Sequence, residues 1–136
     1  GGFYFLPLAW GADDISAFIG ASKNGVANTQ SIVFQYRRNP YTISSTGNVE
    51  LKLEAILKEY EWYKKFLCQV PNNQEDILYY RELVRKLDVY FQKKLGHNLS
   101  NALKNSKLLV FIWVFRRCKY NISFKAFVYA LSEAFK

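Results

Sequence analysis

Three groups of side chains in this 136-residue chain are of types that do chemistry. The first is His97, the sole histidine. An imidazole among cations can act as a general acid or base on a phosphodiester, and Lys93, Lys94, Arg116 and Arg117 are the cations on hand. That chemistry usually divides between two imidazoles, so Tyr or Lys would have to replace the second. The plainer reading places His97, directly after Gly96, at a helix end whose carbonyls it complements. The second group is a basic constellation of Lys104, Lys107, Arg116, Arg117, Lys119 and Lys125 with Tyr120 among them. Arg suits two-pronged phosphate contact, and a tyrosine ring can stack on a base. The plainer reading has Arg116, Arg117 and Lys119 complement the negative end of one helix. Three cations followed by Lys125 exceed what one helix end needs. The third group opens the chain. Phe3, Tyr4, Phe5, Leu6, Leu8 and Trp10 must be covered by the domain's own bundle or by a neighbouring subunit, and a bilayer interface is a third place for them.

Other chemistries lack their residues. One histidine and two cysteines without CxxC spacing do not make a zinc site. Asp13-Asp14 and Glu75-Asp76 suit helix starts, which accounts for both acid pairs. Gly11, Gly20 and Gly25 lack the strand–loop–helix setting of a phosphate loop. No cofactor and no metal are expected, and no catalytic residue is assigned. Cys68 and Cys118 are too few for a disulfide framework and are expected as buried free thiols. The sequons Asn98-Leu99-Ser100 and Asn121-Ile122-Ser123 fall at expected helix starts, where capping explains them. The longest apolar run, Leu108 to Phe115, is far shorter than the roughly 20 residues of a membrane span. The chain opens Gly1-Gly2 without Met, as a trimmed product would.

Charge is the most informative bulk property. The net charge of +8 is uneven. Residues 1–50 balance, 51–100 carry nine cations against seven acids, and 101–136 carry seven against Glu133 alone. A field of one sign attracts polyanions, nucleic acid first and an anionic membrane surface next.

These groups need elements to position them. Six of the seven glycines precede Asn48, which sets a boundary between residues 1–47 and 48–136. In the first part, Asp13 to Ile19 is patterned as a short helix. Ser31 to Arg37 alternates as a strand does, and Tyr41 to Ser45 is a candidate return strand. The reading is an aromatic arm with a candidate short β-hairpin. In the second part, Val49, Leu53, Ile56, Tyr60, Tyr63, Leu67 and Val70 follow helical spacing. Asn73 can cap a second helix carrying Ile77, Tyr80, Val84, Leu87 and Phe91, with Gly96 as its stop. The expected fold is mainly α. An antiparallel hairpin, 48–70 with 74–95, is joined by helices at about 99–119 and 123–136 in a four-helix bundle. The third segment, apolar on every side from Leu108 to Phe115, admits a strand, but with no Gly or Pro after Gly96 to bracket one it is read as a helix buried on most of its circumference at the bundle's centre. Ser123 caps the fourth, which presents Phe124, Phe127, Val128, Leu131 and Phe135, and Ile122 staples onto Phe127. Antiparallel packing would place Lys93, Lys94, Lys104 and Lys107 at one pole and the Arg116–Lys125 corner at the other.

Phe3-Tyr4-Phe5-Leu6 with Ala9-Trp10 resembles the opening of rod-shaped plant virus coat proteins, over about ten residues. The plan of an arm before a basic helical bundle is similar to coat subunits of filamentous archaeal viruses, and equally to small helical subunits of RNA-guided interference complexes. These resemblances imply a coat or complex subunit. The sequence therefore predicts a non-enzymatic protein that binds nucleic acid without reading its sequence. Lys104, Lys107, Arg116, Arg117, Lys119, Tyr120 and Lys125 would make the contact, and the arm would touch the next subunit. Partners are then nucleic acid and a homo-oligomer or larger complex, with membrane-surface contact open. Two alternatives stand beside it. One is a helical protein-interaction module, such as a secreted effector or complex subunit. The other is a small metal-independent ribonuclease using His97.

Overall fold

The computed structural model describes residues 4–25, 48–106 and 108–136. Phe3, Lys107 and the strand-patterned residues of 26–47 lie outside that set. The described residues are mainly α-helical and contain no strand. A 3-10 turn at Pro7–Ala9 leads into α1 (Ala12–Asn24), then α2 (Val49–Phe66), α3 (Gln74–Asn105), α4 (Leu109–Arg116) and α5 (Phe124–Ala134).

The helix starts follow local chemistry. The Asn48 side chain accepts from the Glu50 and Leu51 amides at 2.8 and 3.4 Å. Asn73 accepts from Glu75 at 3.1 Å, and Ser123 from Ala126 at 3.2 Å. Each cap satisfies an amide that the first helical turn leaves without a partner. Ile122 and Phe127 are both buried in the core, as the staple requires. α2 and α3 form the expected antiparallel hairpin. Tyr80 donates to the Leu67 carbonyl at 2.7 Å near the turn, and Tyr60 donates to Asp88 further along.

Beyond the hairpin the packing differs from the expected bundle. α3 does not stop at Gly96 but runs on to Asn105. A Cβ at Gly96 would lie 3.0 Å from the Ala126 carbonyl oxygen and 3.2 Å from Tyr129 Cδ1. The glycine lets α5 approach α3. The facing side of α5 is correspondingly small: Ala126, Ala130 and Ala134 are buried with Phe127, while Phe124, Val128 and Phe135 face outward. α5 also runs in the same direction as the C-terminal half of α3. Gln92 bonds the Asn121 carbonyl and the Ser123 amide, each at 2.8 Å, and Gly96, one turn further along α3, meets Ala126, further along α5.

The third helix begins about ten residues later than its pattern suggested and lies at the edge rather than the centre. Within α4 only Trp113 is buried, 5.7 Å from the Tyr120 ring. The main core joins Leu53 and Ile56 of α2, Phe91, Leu95, Leu99 and Leu103 of α3, Trp113, Tyr120 and the inner face of α5. A smaller cluster, Leu6, Ala12, Ile15 and Ala55, lies on the other side of α2. The described part of the arm, residues 4–25, thus packs on α2. Phe18 adds edge contacts to Trp62, Tyr63 and Phe66 at 5.1 to 6.2 Å.

Candidate nucleic-acid interface

The sequence-predicted phosphate contacts are not gathered at one corner. Arg116 pairs with Glu50. Arg117 lies 5.7 Å from the Phe124 ring, and Lys119 lies 5.0 Å from the Tyr120 ring. Lys104 is exposed near the end of α3, within electrostatic reach of Glu133. Tyr120 is only 1% exposed, and its hydroxyl lies 3.2 Å from Glu50. Its ring is committed to the core and is not available to stack on a base. Its hydroxyl is held above the ordinary tyrosine range, first by burial and then by Glu50.

Lys125 lies elsewhere. Because α5 runs alongside the second half of α3, Lys125 faces the same open groove as Lys93, Lys94 and His97. The groove is about 850 Å³ in volume. Tyr90 and Tyr129 flank it, with 52% and 43% of their surfaces exposed. Asp88 is the sole acid among its described lining residues, and Tyr60 already donates to it. Eight lysines and arginines, and no acid, occur between Val89 and Ser132. The expected two poles are therefore merged in part: Lys93, Lys94 and Lys125 share one surface. Lys93, Lys94 and His97 were each visible in the sequence. Their meeting with Lys125 was not, because it depends on the direction of α5.

Lys94 has a second engagement. Its Nζ lies 2.7 and 2.9 Å from the two oxygens of Glu59, whose side chain is 1% exposed, and 3.4 Å from Asp14. Burial pushes the Glu59 carboxyl above its ordinary value, and the Lys94 ammonium only partly offsets this. Gly11 covers the pair: at φ +81° it closes on Glu59, and an added Cβ would lie 2.7 Å from the carboxylate. This constellation, absent from the sequence reading, ties the N-terminal segment to the α2–α3 hairpin. Burial likewise pushes the Tyr63 hydroxyl up to about 12, with the Glu59 charge adding to it.

The N-terminal aromatics divide. Leu6 is buried, Leu8 is half-buried, and Trp10 is half-buried with Lys52 Nζ 4.7 Å from its ring centre. Tyr4 makes an edge contact with Trp62 at 6.3 Å, and Phe5 stays 87% exposed. Of the expected subunit-contact residues, Leu6 is thus used within the chain and Leu8 and Trp10 in part, while Tyr4 and Phe5 stay exposed. Both cysteines are exposed rather than buried. Asn98 lies mid-helix, buried, donating to the Lys94 carbonyl at 2.9 Å. Asn121 is exposed in the α4–α5 turn. Among the described residues no cluster of His, Cys, Asp and Glu could hold a metal ion, and no helix is long and apolar enough to cross a membrane. Compared with known proteins, the chain matches no family model, no curated protein and no solved structure.

Proposed function

We propose that this is a non-enzymatic protein that binds single-stranded nucleic acid without sequence preference, in the groove between α3 and α5. The observation that carries the reading is the convergence of Lys93, His97 and Lys125 with Tyr90 and Tyr129 on one open surface. Lysines following a backbone beside aromatic rings that accept any base is how sequence-tolerant single-strand binding works. Tyr90 and Tyr129 take the stacking role that the sequence suggested for Tyr120. Arg117 and Lys119 at the α4–α5 turn extend the positive field that draws the strand in.

The test is fluorescence anisotropy with a labelled single-stranded oligonucleotide. Lys93→Glu with Lys125→Glu is expected to abolish binding while the helical circular dichroism persists. Reversal of Arg117 and Lys119 is expected to weaken binding only partly. Unchanged affinity in the groove variant contradicts the reading.

A second reading has one specific observation behind it: His97 shares the groove with Lys93 and Lys125. In a ribonuclease, that imidazole would move the proton of the attacking hydroxyl. Cleavage of a labelled RNA that disappears in His97→Ala would establish it. The non-enzymatic reading expects no cleavage by either protein.

A further inference from the structure

The outward face of α4 has a composition opposite to that of an ordinary surface helix. Leu108 and Phe115 are 80% exposed and Phe111 74%, with Ile112 at 46%. Their spacing of three and four residues places them on one side of the helix, opposite the inward Trp113. The stripe is roughly 10 Å long at 1.5 Å per residue. An apolar patch this concentrated marks a contact site.

The charges around it select the occupant. Arg117 and Lys119 follow the stripe directly, with Arg116, which pairs with Glu50, before them, and Lys104, within reach of Glu133, lies ahead of the stripe. No acid lies in the sequence from Val89 to Ser132. Glu50 is the acid that reaches this end from α2, and Arg116 and Tyr120 occupy it. A second copy docking through the same face would oppose cations with cations. It would also have only five or so apolar side chains, against the 20–30 residues a side of a stable interface. Nucleic acid uses only part of the stripe: bases stack on Phe111 and Phe115, whereas Leu108 and Ile112 have no ring to stack on and no group to bond phosphates. A bilayer surface with anionic headgroups satisfies both halves of the pattern. The apolar stripe enters the boundary between headgroups and acyl chains, and the cations stay among the lipid phosphates and carboxylates. α4 is too short to cross, so it would lie in the interface plane.

We propose that α4 is a docking surface for an anionic membrane. The stripe lies outside the lining of the nucleic-acid groove, and only the cations Arg117 and Lys119 are common to the two readings. The test is co-sedimentation with vesicles of phosphatidylcholine, alone or mixed with phosphatidylserine. The protein is expected to sediment with the mixed vesicles and much less with neutral ones. Phe111→Ser with Phe115→Ser is expected to weaken the association at least about tenfold and to leave oligonucleotide affinity unchanged. A Phe115→Trp variant supplies a readout that does not depend on a destabilising change. Its added emission should shift to the blue on mixed vesicles. Wild-type protein that stays in solution, a serine variant that sediments equally, or an unshifted Phe115→Trp emission would each overturn the proposal. So would a wild-type dimer that the serine variant converts to monomer without any vesicle binding.

Discussion

Glu59 and Lys94 show how much one buried contact determines. A carboxylate with 1% of its side chain exposed is tolerated because an ammonium lies 2.7 Å away. Removing one member leaves the other charge buried and uncompensated, whereas replacing both by apolar groups removes the desolvation cost altogether. Lys94→Met is therefore expected to lower unfolding stability in urea by about 3–5 kcal/mol. Adding Glu59→Leu should recover most of that loss. Equal stability of Lys94→Met and wild type would show the pair to be dispensable. Tyr60 gives a prediction with a defined pH window. Its hydrogen bond to Asp88, with burial and the Asp88 charge, raises its hydroxyl from 10.0 to about 12. Between those values the native state keeps a proton that the unfolded chain has lost. This contribution to stability is complete below pH 10.0 and is lost as pH rises towards about 12. Urea midpoints measured from pH 8 upward should fall less steeply for Tyr60→Phe than for wild type, and identical slopes would contradict the assignment.

At the level of elements, two helical glycines should respond in opposite ways. Gly20 in α1 has nothing within 4 Å of an added Cβ, so Gly20→Ala should stabilise by up to about 1 kcal/mol through helix propensity. Gly96→Val must push α5 away from α3 and should destabilise by roughly 1–3 kcal/mol. Thermal melts of the two variants check this, and a stabilised Gly96→Val would mean that the helices are not held at the observed distance. The same glycine shows what the sequence could and could not reveal. The caps at Asn48, Asn73 and Ser123 were legible because a cap is a local event between neighbours in the chain. The hairpin was legible because two helical repeats, one starting at Val49 and one at Ile77, are separated by a short connection that ends in the Asn73 cap. Gly96 looks like a stop by its local chemistry, and only the arrival of Ala126 makes it a packing residue. The inner face of α5 was misjudged for the same reason. Hydrophobicity favours Phe124 and Phe135, but close approach to α3 selects Ala126, Ala130 and Ala134. An apolar run such as Leu108–Phe115 has no period to show which side faces outward, so burial on most of the circumference was the natural but incorrect expectation for α4.

Over the whole molecule, the unevenness of charge seen in the sequence becomes a division of surfaces. Lys125 joins Lys93 and His97 because α5 runs alongside α3, while Arg116, Arg117 and Lys119 remain with the exposed stripe of α4. The basic character of the candidate site was thus readable from residue counts, and its membership was not. Tyr120 passed from the site to the core, and Tyr90 and Tyr129 entered it, because ring exposure depends on packing that sequence proximity does not report. The proposed binding is electrostatic in origin, so its affinity must depend on salt through the counterions released from the strand. The most direct measurement is the slope of log affinity for a single-stranded oligonucleotide against log salt concentration, in wild type and in Lys93→Glu/Lys125→Glu. Every phosphate that the protein no longer neutralises makes the slope shallower by about 0.7. The wild type is expected to bind with a steep slope, and the double variant to bind weakly with a slope reduced by at least about 1.4. Salt-independent wild-type binding, no wild-type binding, or equal slopes in the two proteins would contradict the assignment of the α3–α5 groove to nucleic acid.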